Sequence, residues 1–165
     1  MSRKINTKDL VQKIEKLTRE RMRQQDVVNM DDLRRLRERK VQRNILLIED
    51  DETIRGALKR ALEGDGYRVL AAADGTQLSE VLDGAALDLI LLDVGLPWIN
   101  GLELAEMMKA HPDLKDIPLV FLSARAGSDD IKRGFDVGAD DYITKPFNLA
   151  DVQRTIKTLI SLNQK

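Results

Sequence analysis

Apolar residues along this chain come in two rhythms. Short aliphatic blocks alternate with longer segments in which apolar residues return every three or four positions. The densest block is Leu87-Asp88-Leu89-Ile90-Leu91-Leu92-Asp93, with five aliphatic residues among its first six and an acid at its end. A run of this kind predicts a strand buried on both faces, as in a parallel sheet. Similar blocks predict strands over 45–48, 67–71, 117–122 and 141–144. Between them, helical periodicity predicts a helix from Ile54 through Leu62 that ends at Gly64-Asp65-Gly66. Further helices are predicted over 76–82, 102–110, near 129–137, and over 149–162. Strands alternating with helices point to βαβ units with right-handed crossovers. The expected fold is α/β, a doubly wound five-stranded parallel sheet with helices on both faces.

The first 43 residues read differently. They contain neither Gly nor Pro, and Leu10, Ile14 and Leu17 recur at helical spacing before the stripe breaks. Two helices are predicted, about 7–24 and 31–42, with too few heptads for a coiled coil. Charge supports a boundary here. Residues 1–43 carry 14 Lys and Arg against 7 Asp and Glu, whereas residues 44–165 carry 13 against 21. The expected organisation is a basic helical extension, 1–43, and one domain, 44–165.

Composition narrows the chemistry. With no cysteine among 165 residues there is no disulfide, thiolate zinc site or thiol nucleophile, which is compatible with a reducing cytoplasm. Charges run through the first 30 residues, against a signal peptide. No apolar run approaches the ~20 residues that a membrane helix needs.

Polar groups cluster after the predicted strands: Glu49 and Asp50 after the first, Asp93 at the third, Ser123 after the fourth and Lys145 after the fifth. In a parallel sheet these ends share one edge, where ligands of open α/β folds bind. Carboxylates packed together are costly unless a cation joins them. A hard divalent ion such as Mg2+ suits a few carboxylates with water and phosphate oxygens. Acids, an ammonium and a hydroxyl together suit phosphoryl transfer to a carboxylate. Each piece alone also has a plain structural reading. Acids at 49–52 suit a helix N-terminus, Asp93 a turn, Ser123 a helix cap, Lys145 solvated surface, and Tyr142 a half-buried strand position.

Residues 44–165 resemble the receiver domain of two-component response regulators, of the single-receiver chemotaxis type. The resemblance rests on Ile45-Leu-Leu-Ile-Glu-Asp-Asp-Glu, on Leu89-Ile-Leu-Leu-Asp-Val-Gly-Leu-Pro with Gly101, on Leu119-Val-Phe-Leu-Ser-Ala, and on Gly138-Ala-Asp-Asp-Tyr-Ile-Thr-Lys-Pro-Phe. It implies a flavodoxin-like strand order, 2-1-3-4-5. It implies that Asp93 accepts phosphate from a histidine of a sensor kinase or histidine phosphotransfer protein. Asp50 and Asp93 would bind Mg2+ (or Mn2+) directly, Glu49 through water, and the Gly95 carbonyl would complete the protein ligands. Choosing Asp50 over Asp51 depends on counting back from Arg55. Lys145 would contact the phosphoryl group, with Lys145-Pro146 a cis peptide. Ser123 and Tyr142 would form the switch, changing the surface of the receiver's fourth helix, fifth strand and fifth helix. Such a protein is expected to be a bacterial cytoplasmic phosphoprotein, a switch rather than an enzyme.

Several positions stay open. Gly95 and Arg125 could tune water access near Asp93. Trp98 could contact a partner or pack on its own domain. His111, the only histidine, suits a solvated helix end. The last predicted helix stops just before the sequence does, so readout is expected through an output protein or residues 1–43. That extension could dock or dimerise, could fold back on the acidic domain or remain a mobile tail, or could bind nucleic acid or an acidic membrane surface. Its interleaved acids and lack of aromatics argue against nucleic acid. Two rivals to the switch remain. One is a phosphorylation-independent interaction module. The other is a carboxylate-nucleophile phosphatase, whose Asp-x-Asp pattern Glu49-Asp50-Asp51-Glu52 does not reproduce.

Overall fold

A computed structural model describes residues 7–24, 30–31, 41–84 and 86–163. The chain divides into two compact units, Met1–Val41 and Gln42–Lys165. In the first unit, α1 (Thr7–Gln24) coincides with the predicted helix and leaves Leu10, Val11 and Leu17 exposed. Met30 and Asp31 are helical. Most of the second predicted helix, residues 32–40, lies outside the described residues, while residues 41 and 42 are described and not helical.

The second unit alternates strand and helix: β1 (Asn44–Ile48), α2 (Glu52–Gly64), β2 (Arg68–Ala72), α3 (Gly75–Leu82), β3 (Leu89–Asp93), α4 (Gly101–Ala110), β4 (Leu119–Ser123), α5 (Ser128–Val137), β5 (Asp141–Thr144) and α6 (Leu149–Leu162). The five strands form one parallel sheet in the order β2-β1-β3-β4-β5. This is the flavodoxin-like order expected from the resemblance.

Side-chain alternation along the strands builds two cores. Ile45, Leu47, Leu89, Leu91, Val120 and Leu122 face one way and pack with Leu58 and Leu62 of α2 and Val152, Ile156 and Ile160 of α6. Leu46, Ile48, Ile90, Leu92, Leu119 and Phe121 face the other way and meet Leu78 of α3 and Leu104, Ala105 and Met108 of α4. All five residues of β3 and of β4 are buried, which explains the unbroken apolar runs.

Most element ends fall within one or two residues of expectation, and the differences have local causes. β3 starts at Leu89 rather than Leu87. The Asp88 carboxylate instead accepts the backbone N–H of Asn44 at 2.7 Å and pairs with Arg43 at 3.4 Å, below the sheet. β4 starts at Leu119 because Pro118 has no N–H to give, although its carbonyl accepts from Ile90. Tyr67 is not in β2, since its N–H turns back to the carbonyl of Leu62.

Gly101 sets how closely α4 starts against β3. Its N–H donates to the Val94 carbonyl at 3.0 Å. A Cβ there would lie 2.5 Å from both the Asp93 carbonyl oxygen and Val94 Cα. These are backbone atoms that cannot step aside. We predict that Gly101→Ala destabilises the domain by about 1–3 kcal/mol through overpacking. Gly64→Ala is its control, because nothing lies within 4 Å of that Cβ. It should stabilise by up to about 1 kcal/mol. Urea unfolding of both variants checks the contrast.

Candidate functional site

The sheet register brings the acids together. Ile48 of β1 is level with Leu92 of β3. The next residues, Glu49 and Asp93, therefore reach the carboxyl edge side by side. Both continue the parity of the face covered by α2 and α6. Glu49 is fully buried and Asp93 only 4% exposed. Asp50 is exposed at the start of the turn into α2. One carboxylate oxygen from each of Glu49, Asp50 and Asp93 lies within 4.8 Å of the others.

Lys145 arrives from the end of β5, after a hydrogen bond from its own N–H to the Ser123 carbonyl at 2.7 Å. Its ammonium donates to Glu49 Oε2 at 2.8 Å and lies 3.3 Å from Asp93 Oδ2. The Lys145–Pro146 bond is cis. Burial opposes the charge on Lys145, but the hydrogen bond and attraction from Glu49, with Asp93 behind it, raise its pKa above the usual lysine value. Burial pushes the Glu49 carboxyl up from 4.5 to about 7. The Lys145 hydrogen bond opposes that shift, and the Asp93 charge adds to it.

Asp93 Oδ1 accepts the N–H of Gly95 at 3.0 Å, so both its oxygens have protein neighbours. The loop after β3 lines a cleft of about 480 Å3 from Val94 to Asn100, with Arg125 on the far wall. Trp98 lies back on its own domain. Its indole N–H donates to the Ala73 carbonyl at 3.3 Å, and its ring covers Gly75.

Ser123 and Tyr142 stand on the opposite parity, the α3–α4 side. Ser123 is buried, and its hydroxyl accepts the N–H of Arg125 at 3.0 Å. The Tyr142 hydroxyl donates to the Arg125 carbonyl at 2.7 Å. The Tyr142 ring sits 6.0 Å from that of Phe121 and rests on Gly134 of α5, where a Cβ would come within 2.8 Å of it. Arg125 thus receives one contact from each of the two residues singled out as a switch.

Glu49, Asp50, Asp93 and Lys145 converge. Gly95 touches Asp93 through its N–H, while Ser123 and Tyr142 form a neighbouring group joined to it through the Ser123–Lys145 backbone bond. The acids at 49–52 divide their work, since the Asp51 side chain caps α2 by accepting the N–H of Ile54 at 3.0 Å. His111 ends α4 as an exposed residue, and its Nδ1 lies 3.1 Å from the Asp113 N–H, which donates to it. Sequence reading used Arg55 only to fix a register and missed that its guanidinium grips the β1–α2 turn. A basic residue one turn into a helix that follows paired acids was the available signal.

Fold and pocket define a class: an open, doubly wound α/β domain with clustered acids and one lysine at the carboxyl edge of its sheet. Comparison with known proteins gives that class a family. Residues 45–157 match the family described as the response regulator receiver domain. The transcriptional regulatory protein CseB of Streptomyces coelicolor is 40% identical over 119 residues, 72% of this chain and 50% of that protein. The aerobic respiration control protein ArcA of Escherichia coli K12 is 36% identical over 118 residues, 72% of this chain and 48% of that protein. Among solved structures, the non-phosphorylated HemR receiver domain from Leptospira biflexa superposes with a TM-score of 0.68 at 40% identity, covering 75% of this chain and 98% of that one. The chemotaxis response regulator CheY4 of Vibrio cholerae gives 0.67 at 27% identity, covering 72% and 99%. The chain spans about half the length of the curated relatives it matches. It belongs to the response regulator receiver domain family, and its acidic pocket is consistent with that family's phosphoacceptor site. Among the described residues, no helix is long and apolar enough to cross a membrane.

The raised carboxyl of Glu49 makes a pH prediction. Its pKa is higher in the folded chain than the ordinary 4.5, so folding favours its protonated form. That contribution is complete below about pH 4.5 and is lost as pH rises through about 7. In EDTA, Glu49→Gln should therefore gain stability relative to wild type across this interval. Urea unfolding at a series of pH values checks it, and parallel curves would contradict it.

Proposed function

We propose that this domain is a phosphorylation-controlled switch in which Asp93 is the phosphoacceptor. The observation that carries the reading is the convergence of Glu49, Asp50 and Asp93 with a single ammonium, Lys145. Three carboxylates against one lysine leave an excess of negative charge, and their hard oxygens suit Mg2+ or Mn2+. Asp50 and Asp93 would hold the ion directly, Glu49 through water, with the Gly95 carbonyl as a further ligand. Bound there, the ion supplies positive charge that offsets the carboxylates and an incoming phosphoryl group.

In the transfer, an Asp93 carboxylate oxygen attacks the phosphorus of a phosphohistidine on a sensor histidine kinase or histidine phosphotransfer protein. A P–O bond forms, the P–N bond breaks, and the imidazole leaves with its electron pair and takes a proton. Lys145 neutralises a phosphoryl oxygen. The Ser123 hydroxyl, now accepting from Arg125, turns to donate to another. Because the Arg125 carbonyl also receives the Tyr142 hydroxyl, that turn repacks Tyr142 and changes the α5–β5–α6 surface read by an output protein. The covalent phosphate acts as a ligand that favours one of two arrangements. The domain is a switch and not a turnover enzyme, working in the bacterial cytoplasm. The basic N-terminal segment, residues 1–43, serves docking or homodimerisation.

With acetyl phosphate and Mg2+, the protein should gain one phosphoryl mass by intact mass spectrometry, and Asp93→Ala should gain none. An interaction module indifferent to phosphate would leave the wild-type mass unchanged. Lys145→Ala should remain folded, since Glu49 can hold a proton in its place, yet lose the beryllofluoride-induced shift in amide spectra. Removing residues 1–43 should alter sedimentation or affinity for a partner, and identical behaviour would refute the docking role.

A further inference from the structure

We infer that Arg55 is a positioning residue for cation binding, acting through the backbone of Glu49 and Asp50. The inference rests on the proposed divalent-cation site. Arg55 sits in the first turn of α2, and its Nη1 donates to the Glu49 carbonyl at 3.0 Å and to the Asp50 carbonyl at 3.1 Å. One planar guanidinium nitrogen thus fixes two successive peptide planes. The Asp50 side chain is attached between those planes and the Glu49 side chain just before the first of them, and both carboxylates belong to the cluster.

The rest of the turn is tied at other points. The Glu49 N–H donates to the Ala72 carbonyl at 3.2 Å, and the Asp51 N–H to Glu49 Oε1 at 3.2 Å. The Asp51 carboxylate caps Ile54. Glu49 is further held by burial and by Lys145. Asp50 is exposed, so packing does little to aim it. Its direction follows from the peptide planes on either side, which Arg55 grips. Groups that orient metal ligands in this way typically change metal affinity about 10- to 100-fold when removed.

Charge alone predicts the opposite sign. A guanidinium beside the cluster repels a divalent cation, so its loss would tighten binding. If Arg55 works by holding the turn, its loss weakens binding despite the removed repulsion.

The test is calorimetric titration of Mg2+ into the full chain as wild type, Arg55→Met, Arg55→Lys and Asp50→Asn. Arg55→Met should bind about ten-fold more weakly, with Arg55→Lys between it and wild type. Asp50→Asn marks the loss of a direct ligand. In acetyl phosphate reactions, Arg55→Met should need correspondingly more Mg2+ for half-maximal phosphorylation but reach the wild-type plateau. Wild-type binding that is unchanged or tightened in the Arg55 variants overturns the inference alone. No Mg2+ binding by wild type overturns the cation site itself, and this inference with it. If Arg55→Met fails to fold, Arg55→Lys decides: weaker binding supports the role and unchanged binding refutes it.

Discussion

The pocket depends on one ammonium placed between two buried carboxylates. Lys145 reaches Glu49 at 2.8 Å and Asp93 at 3.3 Å, where neither acid has much water. Burying such groups costs several kcal/mol per charge unless partners compensate. A single lysine compensates only in part, and the high pKa of Glu49 records the remainder. The pocket therefore remains short of compensating positive charge.

The sheet makes this arrangement possible. Parallel register brings the ends of β1 and β3 level, and β5 delivers Lys145 from two strands away. Acids and ammonium continue one side-chain parity, toward α2 and α6. Ser123 and Tyr142 belong to the other, toward α3, α4 and α5. The two layers are joined at the sheet edge. The Lys145 N–H bonds the Ser123 carbonyl there, and Arg125 takes one hydrogen bond with Ser123 and one with Tyr142. Gly134 gives the Tyr142 ring its seat against α5, where any larger residue would press on it.

Much of this was legible along the chain. Aliphatic blocks located all five strands, and helical periodicity with Gly punctuation located the helices of the second unit to within a few residues. The acids, hydroxyl and lysine stood at strand ends in the sequence itself, so one shared edge followed once the strands were taken as parallel. Division of labour among the acids was less legible. By residue type Glu49-Asp50-Asp51-Glu52 are four similar carboxylates; the resemblance and the count from Arg55 separated Asp50 from Asp51, and the turn geometry shows Glu49 buried, Asp50 at the rim and Asp51 on the backbone of α2.

Sequence alone determined the α/β class, the parities of the strands and the set of chemical groups available, because period and residue type are local properties. Tertiary structure decided which groups meet. Lys145 and Glu49 are 96 residues apart and Tyr142 and Arg125 are 17 apart, so their contacts depend on register and strand order. The grip of Arg55 on two carbonyls and the closeness of Gly101 to the β3 backbone arise from distances that no periodicity encodes. Side-chain type says what a residue can do, and only packing in three dimensions says to what.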